Sequence, residues 1–236
     1  MARSGEHFLY AASLDLREVP VLVIGGGAVA ARKVRSLLRA RAAVTAVAPA
    51  FHTSFERLRR RMGLRLVRRR FRPSDLKYQR VVFAVTGDMA LNTRIAAQAK
   101  ARGLWVNVAA PPAAGNMQVP AAVHRGHVCI AISTGGASAA LARALRERIE
   151  KSVGPEWGRQ AALLEERRPA VLQQIADPAR RRRLLRQLAA PRWARLIQRR
   201  GVARAARDMD RTIAAAVDRG AARPAAARGA PPGGRP

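Results

Sequence analysis

Three consecutive glycines stand behind the apolar run Val19–Ile24, and Gly25, Gly27 and Ala30 fall at G-x-G-x-x-G/A spacing. Each position has a physical task. Gly25 permits a tight turn, Gly27 lets the backbone approach a pyrophosphate, and Ala30 allows a helix to pack closely on a strand. A helix starting after Gly27 would turn its unpaired N–H groups toward the anion. The loop Gly25-Gly26-Gly27 is therefore a candidate nucleotide cradle. A glycine turn that binds nothing is the competing reading, and the strand before and helix after favour the cradle.

One part of that fingerprint is missing. A carboxylate for the ribose hydroxyls is expected about 20 residues further on, and the segment there is Val47-Ala48-Pro49-Ala50. Ribose contacts must then come from backbone groups near Pro49 and Ala50, and the residues alone leave NAD and NADP both open. Cys129 lies in an apolar run and reads as a buried, inert thiol. Arg180–Arg183 with Arg186, and Arg57 with Arg59–Arg61, read as solvated helix faces before they read as nucleic-acid patches. Trp105, Trp157 and Trp193 are too far apart in sequence to argue a base-stacking platform.

The elements that must position the glycine loop alternate. Strands are predicted at Val19–Ile24, Ala43–Ala48 (stopped by Pro49), Leu64–Val67, Arg80–Val85 and Leu104–Val108. Helices are predicted at Ala28–Arg39, Phe51–Met62 and Met89–Ala101, the last capped by Asp88 and ended by Gly103. Alternation of this kind implies an α/β fold, a parallel sheet with helices on both faces. Beyond Pro111-Pro112 the pattern changes. Short strands are expected at Met117–Val119 and His127–Ser133 with a helix at Pro120–Arg125 between them. A turn at Thr134-Gly135-Gly136 and a helix at Ala137–Val153 follow, the helix carrying Leu141, Leu145 and Ile149 on one face. Pro155–Arg219 reads as helix throughout, and 220–236 as a disordered basic tail. The expected divisions are 1–112, 113–153, 154–219 and 220–236.

Composition narrows the class. The chain has 236 residues, 45 Lys+Arg against 15 Asp+Glu and a formal charge of +30. Only Lys33, Lys77, Lys100 and Lys151 are lysines, so 41 of the basic residues are arginines. Nucleic acid, a phosphate-bearing cofactor and a small polycarboxylate all suit such a charge. No apolar run approaches the ~20 residues of a membrane-spanning helix, and Met-Ala-Arg-Ser-Gly-Glu-His lacks the pattern of a signal peptide. One cysteine excludes an internal disulfide and a multi-cysteine zinc site. The expectation is a soluble, cytoplasmic protein that meets no membrane.

The motifs also run in a familiar order: Leu14-Asp15-Leu16, V-L-V-I-G-G-G-A-V-A-A-R-K, V-A-P, F-A-V-T-G-D-M-A-L-N, N-V-A at Asn107 and A-I-S-T-G-G-A-S-A-A-L-A-R at Ala131–Arg143. Over about residues 8–158 this resembles the precorrin-2 dehydrogenase / sirohydrochlorin ferrochelatase family of siroheme biosynthesis. The resemblance implies an N-terminal Rossmann domain, a central dimerisation segment around 113–150 and a C-terminal helical region. It implies that NAD⁺ accepts a hydride from precorrin-2 to give sirohydrochlorin, and that some members then insert ferrous iron. It also implies that Ala28 and Val29 touch the cofactor, that Pro49 and Ala50 line its ribose side, and that Thr86 lies at a ligand-facing strand end. Asn107, Ser133, Thr134, Gly135 and Gly136 would border the tetrapyrrole.

The sequence departs from the family at one informative place. Ala110 stands where many members carry an aspartate implicated in both steps, and no Asp or Glu occurs between Asp88 and Glu147. Chelation needs a group to receive pyrrole protons or ligate iron, and an alanine can do neither. Hydride transfer asks the protein mainly for positioning. Dehydrogenation is therefore the expected activity, with no resident metal. Asp88, His124 and His127 are the substitutes at hand, although Asp88 also reads as a helix cap and the histidines as surface residues. A member that binds tetrapyrrole and NAD without turnover is the alternative. Nucleic-acid binding rests on charge alone.

Overall fold

A computed structural model describes residues 9–221. The chain divides into two compact units, one running to Pro120 and including Thr134–Ser138, the other comprising Ala121–Ser133 and the residues from Ala139 onward.

The first unit is built on a five-stranded parallel sheet. Its strands are β1 (Pro20–Ile24), β2 (Ala43–Ala48), β3 (Arg65–Arg68), β4 (Val81–Ala84) and β5 (Trp105–Val108), in the order β3-β2-β1-β4-β5. Side chains alternate across each strand, so the sheet makes two cores. Val21, Val23, Val81 and Phe83 pack with Val34 and Leu37 of α1 (Ala28–Arg39) and Phe55 and Leu58 of α2 (Ser54–Met62). On the other face Leu22, Ile24, Val82 and Ala84 meet Ile95, Ala96 and Ala99 of α3 (Met89–Lys100). Burial on both faces explains why these strands read as continuous apolar runs.

A short 3-10 turn at Pro73–Leu76 leads from β3 to β4. Asp75 secures it, accepting from Arg69 Nη1 at 2.9 Å, Arg69 Nη2 at 2.6 Å and the Arg72 N–H at 2.8 Å. Its side chain is 10% exposed, and the Arg69 hydrogen bonds hold the carboxyl below its usual value. A depressed carboxylate contributes stability above its unfolded pKa and loses it as pH falls through the folded value. Asp75→Asn should therefore cost about 1–3 kcal/mol at neutral pH. The gap from the parent should close in acid, as urea unfolding at a series of pH values would show.

In the second unit β6 (Ala121–Arg125) and β7 (Val128–Ile132) form an antiparallel hairpin. The helix expected at Pro120–Arg125 is thus a strand, and Met117–Val119 is not one. A helix start at Pro120 fits local propensity. However, Gly126 at φ 58° opens a two-residue turn that pairs Arg125 with Val128, and the cross-strand partner decides. Asn116 instead acts on the edge of β5, accepting from Val106 N at 2.7 Å and donating to Leu104 O at 3.1 Å. Cys129 is also corrected: it is exposed. Val123 on one face of the hairpin is buried, whereas the paired His124 and Cys129 lie on the open face.

The remainder is helical: α4 (Ala139–Ser152), α5 (Pro155–Gln174), α6 (Pro178–Leu188), α7 (Arg192–Arg200) and α8 (Val202–Ala221). Leu163, Val171, Leu188, Trp193, Ile197 and Met209 share one core. Pro169 sits inside α5 without ending it. The proposed tail meets the end of α8 at residues 220–221; 222–236 lie outside the described residues.

Candidate cofactor and substrate site

The strand order reverses direction at β1, which has β2 on one side and β4 on the other. Doubly wound sheets bind ligands at such a point, beyond the carboxyl ends of the strands. Gly25 to Gly27 lie there, and the first two are held tightly from both sides. Gly25 has φ 134°, and a Cβ on it would fall 2.3 Å from the Val85 carbonyl oxygen; a Cβ on Gly26 would fall 1.9 Å from that of Ala50. The Gly25 N–H donates to Val47 O at 3.0 Å, and the Gly26 carbonyl accepts from His52 N at 2.8 Å.

Gly27 is the opposite case. A Cβ there would meet nothing within 4 Å, so the space over its backbone is open. Gly27 is the N-cap of α1, makes no side-chain cap, and is followed by a first turn without acidic residues. Ala28 and Val29 are exposed. Helix-start N–H groups left to an outside acceptor, over a backbone without a side chain, fit a pyrophosphate. Pro49 and Ala50 are exposed after β2, and the segment carries no carboxylate.

The loops after β4 and β5 are tied by a residue that sequence reasoning missed. Asn92, fully buried on α3, accepts the Thr86 N–H at 3.1 Å and lies 2.8 Å from Thr86 Oγ1. Its amide donates to Thr86 O and to Ala110 O, both at 3.1 Å. Thr86 Oγ1 also accepts the Asp88 N–H at 3.2 Å. Asp88 caps α3 as expected, its Oδ1 accepting from Leu91 N at 2.9 Å. The signal was present in the Leu-Asn of the quoted motif: a polar amide where α3 turns its apolar face to the sheet.

Lys33 was also missed. Its Nζ donates to Asn107 Oδ1 at 2.9 Å and stands 5.4 Å over the Phe83 ring. Burial pushes this ammonium below the ordinary lysine value. The Asn107 amide in turn donates to Met117 O at 3.0 Å, so both ends of that side chain are engaged within the first unit. Thr134, Gly135 and Gly136 form a turn in the same unit, with Thr134 O accepting from Ala137 N at 3.0 Å and Thr134 Oγ1 from Ser138 N at 3.2 Å. Gly135 and Gly136 have φ 63° and 91°.

Ser133 and His124 belong to the second unit. His124 is exposed opposite Cys129, and His127 lies 3.1 Å from the Glu165 carboxylate. Among the described residues, no three of His, Cys, Asp and Glu gather as a metal site, and no helix is long and apolar enough to cross a membrane.

The sheet, the switch point and the open glycine cradle define a Rossmann-type dinucleotide-binding protein. Comparison with known proteins agrees and goes further. Residues 12–121 match the family described as Putative NAD(P)-binding, and residues 125–152 match Sirohaem biosynthesis protein central. The siroheme synthase of Methylococcus capsulatus is 38% identical over 206 residues, covering 87% of this chain and 42% of that protein. The siroheme synthase of Thiobacillus denitrificans is 41% identical over 169 residues, covering 72% of this chain and 35% of that protein. The solved structure of SirC, precorrin-2 dehydrogenase, superposes with TM-score 0.72 at 27% identity, covering 86% of this chain and 100% of that one. The chain is thus similar to sirohaem-biosynthesis proteins, its match to an NAD(P)-binding domain preceding its match to the sirohaem central segment. It spans less than half the length of these two siroheme synthases.

Proposed function

We propose that this protein oxidises precorrin-2 to sirohydrochlorin with NAD⁺ as the hydride acceptor. The observation that carries the reading is the open backbone at Gly27, set at the switch point of the sheet in a chain that superposes on the whole of a solved precorrin-2 dehydrogenase. When bound, the nicotinamide supplies the redox chemistry. The chain's own task is to hold it. N–H groups at the start of α1, by Ala28 and Val29, grip the pyrophosphate; the Pro49-Ala50 backbone contacts the ribose; and Thr86 borders the crevice. The turn Thr134-Gly135-Gly136, and Ser133 before it in sequence, are the residues we assign to the carboxylates of a polycarboxylate tetrapyrrole, as the family resemblance implies. Asn107 supports that ligand indirectly, since its amide is bonded within the protein. A basic protein surface suits the same anionic ligands.

A homodimer belongs to this reading. Helix α4 leaves Leu141 and Leu145 52% and 39% exposed, an apolar face that a second copy of the 113–150 segment would cover. The cytoplasm is the natural setting, where the exposed Cys129 thiol stays reduced.

Purified protein given NAD⁺ and precorrin-2 should produce NADH and sirohydrochlorin in equal amounts. A folded protein that binds NAD⁺ and releases no NADH would sink the dehydrogenase reading. Ala110 favours one second reading, a member that binds both ligands without turnover; equilibrium binding of each without NADH is its signature.

A further inference from the structure

We infer that Asp88 receives the proton that leaves the tetrapyrrole during dehydrogenation, an inference that rests on the proposed reaction. Oxidation by NAD⁺ removes two hydrogens: one leaves with its electron pair as hydride to the nicotinamide, the other as a proton. Precorrin-2 and NAD⁺ thus give sirohydrochlorin, NADH and one proton, and that proton needs a base in the crevice.

The sheet decides where such a base can stand. The segments next to the carboxyl ends of β1, β2, β4 and β5 are Gly25–Gly27, Pro49–Thr53, Val85–Asp88 and Ala109–Pro111. Asp88 is the one carboxylate in them. Its loop adjoins the cradle, since a Cβ on Gly25 would lie 2.3 Å from Val85 O and 3.3 Å from Thr86 N. Asn92 fixes the same loop from below through Thr86, so the carboxylate is mounted on rigid backbone.

Charge narrows the choice as well. Asp15, Glu56, Asp75, Glu147, Asp208 and Asp210 are each paired with an arginine. Asp88, like Glu18, Glu156, Asp177 and Asp218, has no ion pair among the described residues, and of these five it alone stands in the segments beside the cradle. One oxygen caps Leu91 N. The other makes no hydrogen bond among those residues, and the side chain is exposed. An arginine-bound carboxylate is a poor proton acceptor because its anionic form is already stabilised. No guanidinium contacts Asp88 among the described residues, and one of its oxygens faces outward unbonded.

The cap and the base can be separated, because asparagine and serine are good N-caps that cannot accept the proton. Asp88→Asn and Asp88→Ser should keep the parent's melting temperature and NAD⁺ affinity while kcat falls about a hundredfold or more. Asp88→Glu should retain most of kcat. Parent-like turnover in Asp88→Asn would overturn the assignment and leave the dehydrogenase reading standing. A loss of turnover matched by a loss of melting temperature or NAD⁺ binding would overturn it too, reducing Asp88 to a cap. A parent that makes no NADH would remove the reaction and this role together.

Discussion

Gly27→Ala should leave the protein as stable as its parent and take away most of its NAD⁺ affinity, whereas Gly26→Ala should damage the fold itself. Both residues belong to one loop, and only the surroundings of their backbones differ. At Gly27 the new methyl would meet no protein atom within 4 Å. The residue has extended backbone at φ −81° and ψ −180°, which alanine adopts freely, and an alanine N-cap costs about 1 kcal/mol at most relative to glycine. In the proposed mode of binding the methyl would occupy the space through which a pyrophosphate reaches the N–H groups of α1, and the dinucleotide would be displaced. At Gly26 the methyl would fall 1.9 Å from Ala50 O and 3.0 Å from Ala48 Cβ. Moving the end of β2 to relieve that overlap should cost about 3 kcal/mol. Calorimetric titration with NAD⁺ and thermal melts on the two variants would decide the matter. Equal affinity in Gly27→Ala and the parent would mean that the open space is not where the pyrophosphate lies.

Ala110→Asp should raise the rate at which the protein inserts Fe²⁺ into sirohydrochlorin. Inserting Fe²⁺ into sirohydrochlorin releases two pyrrole protons, and the metal must shed water as it approaches the macrocycle. A carboxylate can take protons or hold the metal in passing, and a methyl group can do neither. The backbone for such a group is already steady, because Ala110 O is bonded to the buried Asn92 amide at 3.1 Å. Asp88 is an imperfect substitute, with one oxygen committed to the α3 cap. Insertion should accelerate about a hundredfold in the variant, in keeping with a positioned acid–base group. The change from free sirohydrochlorin to its iron complex can be followed by absorbance. Identical rates in parent and variant would show that residue 110 does not limit this step.

The first unit was legible because its signals are local. An apolar run, three glycines and an amphipathic helix follow one another within 25 residues of sequence, and β1, the loop and α1 occupy the expected places. Asp88 was legible for the same reason, since a cap is a three-residue matter. The hairpin was not. Whether Ala121–Arg125 is helix or strand depends on β7, and strand pairing outweighs the propensity of five residues. Cys129 misled because an apolar strand in a two-stranded sheet keeps one face open, while the same string in a five-stranded sheet would be buried twice. Lys33 and Asn92 were overlooked for a different reason. Neither residue type advertises its role, and their partners Asn107 and Ala110 are distant in sequence.

The grip of β2 and β4 on the glycine loop also governs the thermodynamics of ligand capture. A loop whose carbonyl, amide and Cα positions are wedged between two strand ends has surrendered its conformational freedom when the domain folds. Little remains to be ordered when a dinucleotide arrives. The cradle is therefore a rigid receptor, and most of the entropy lost on binding belongs to the ligand and to the water it displaces.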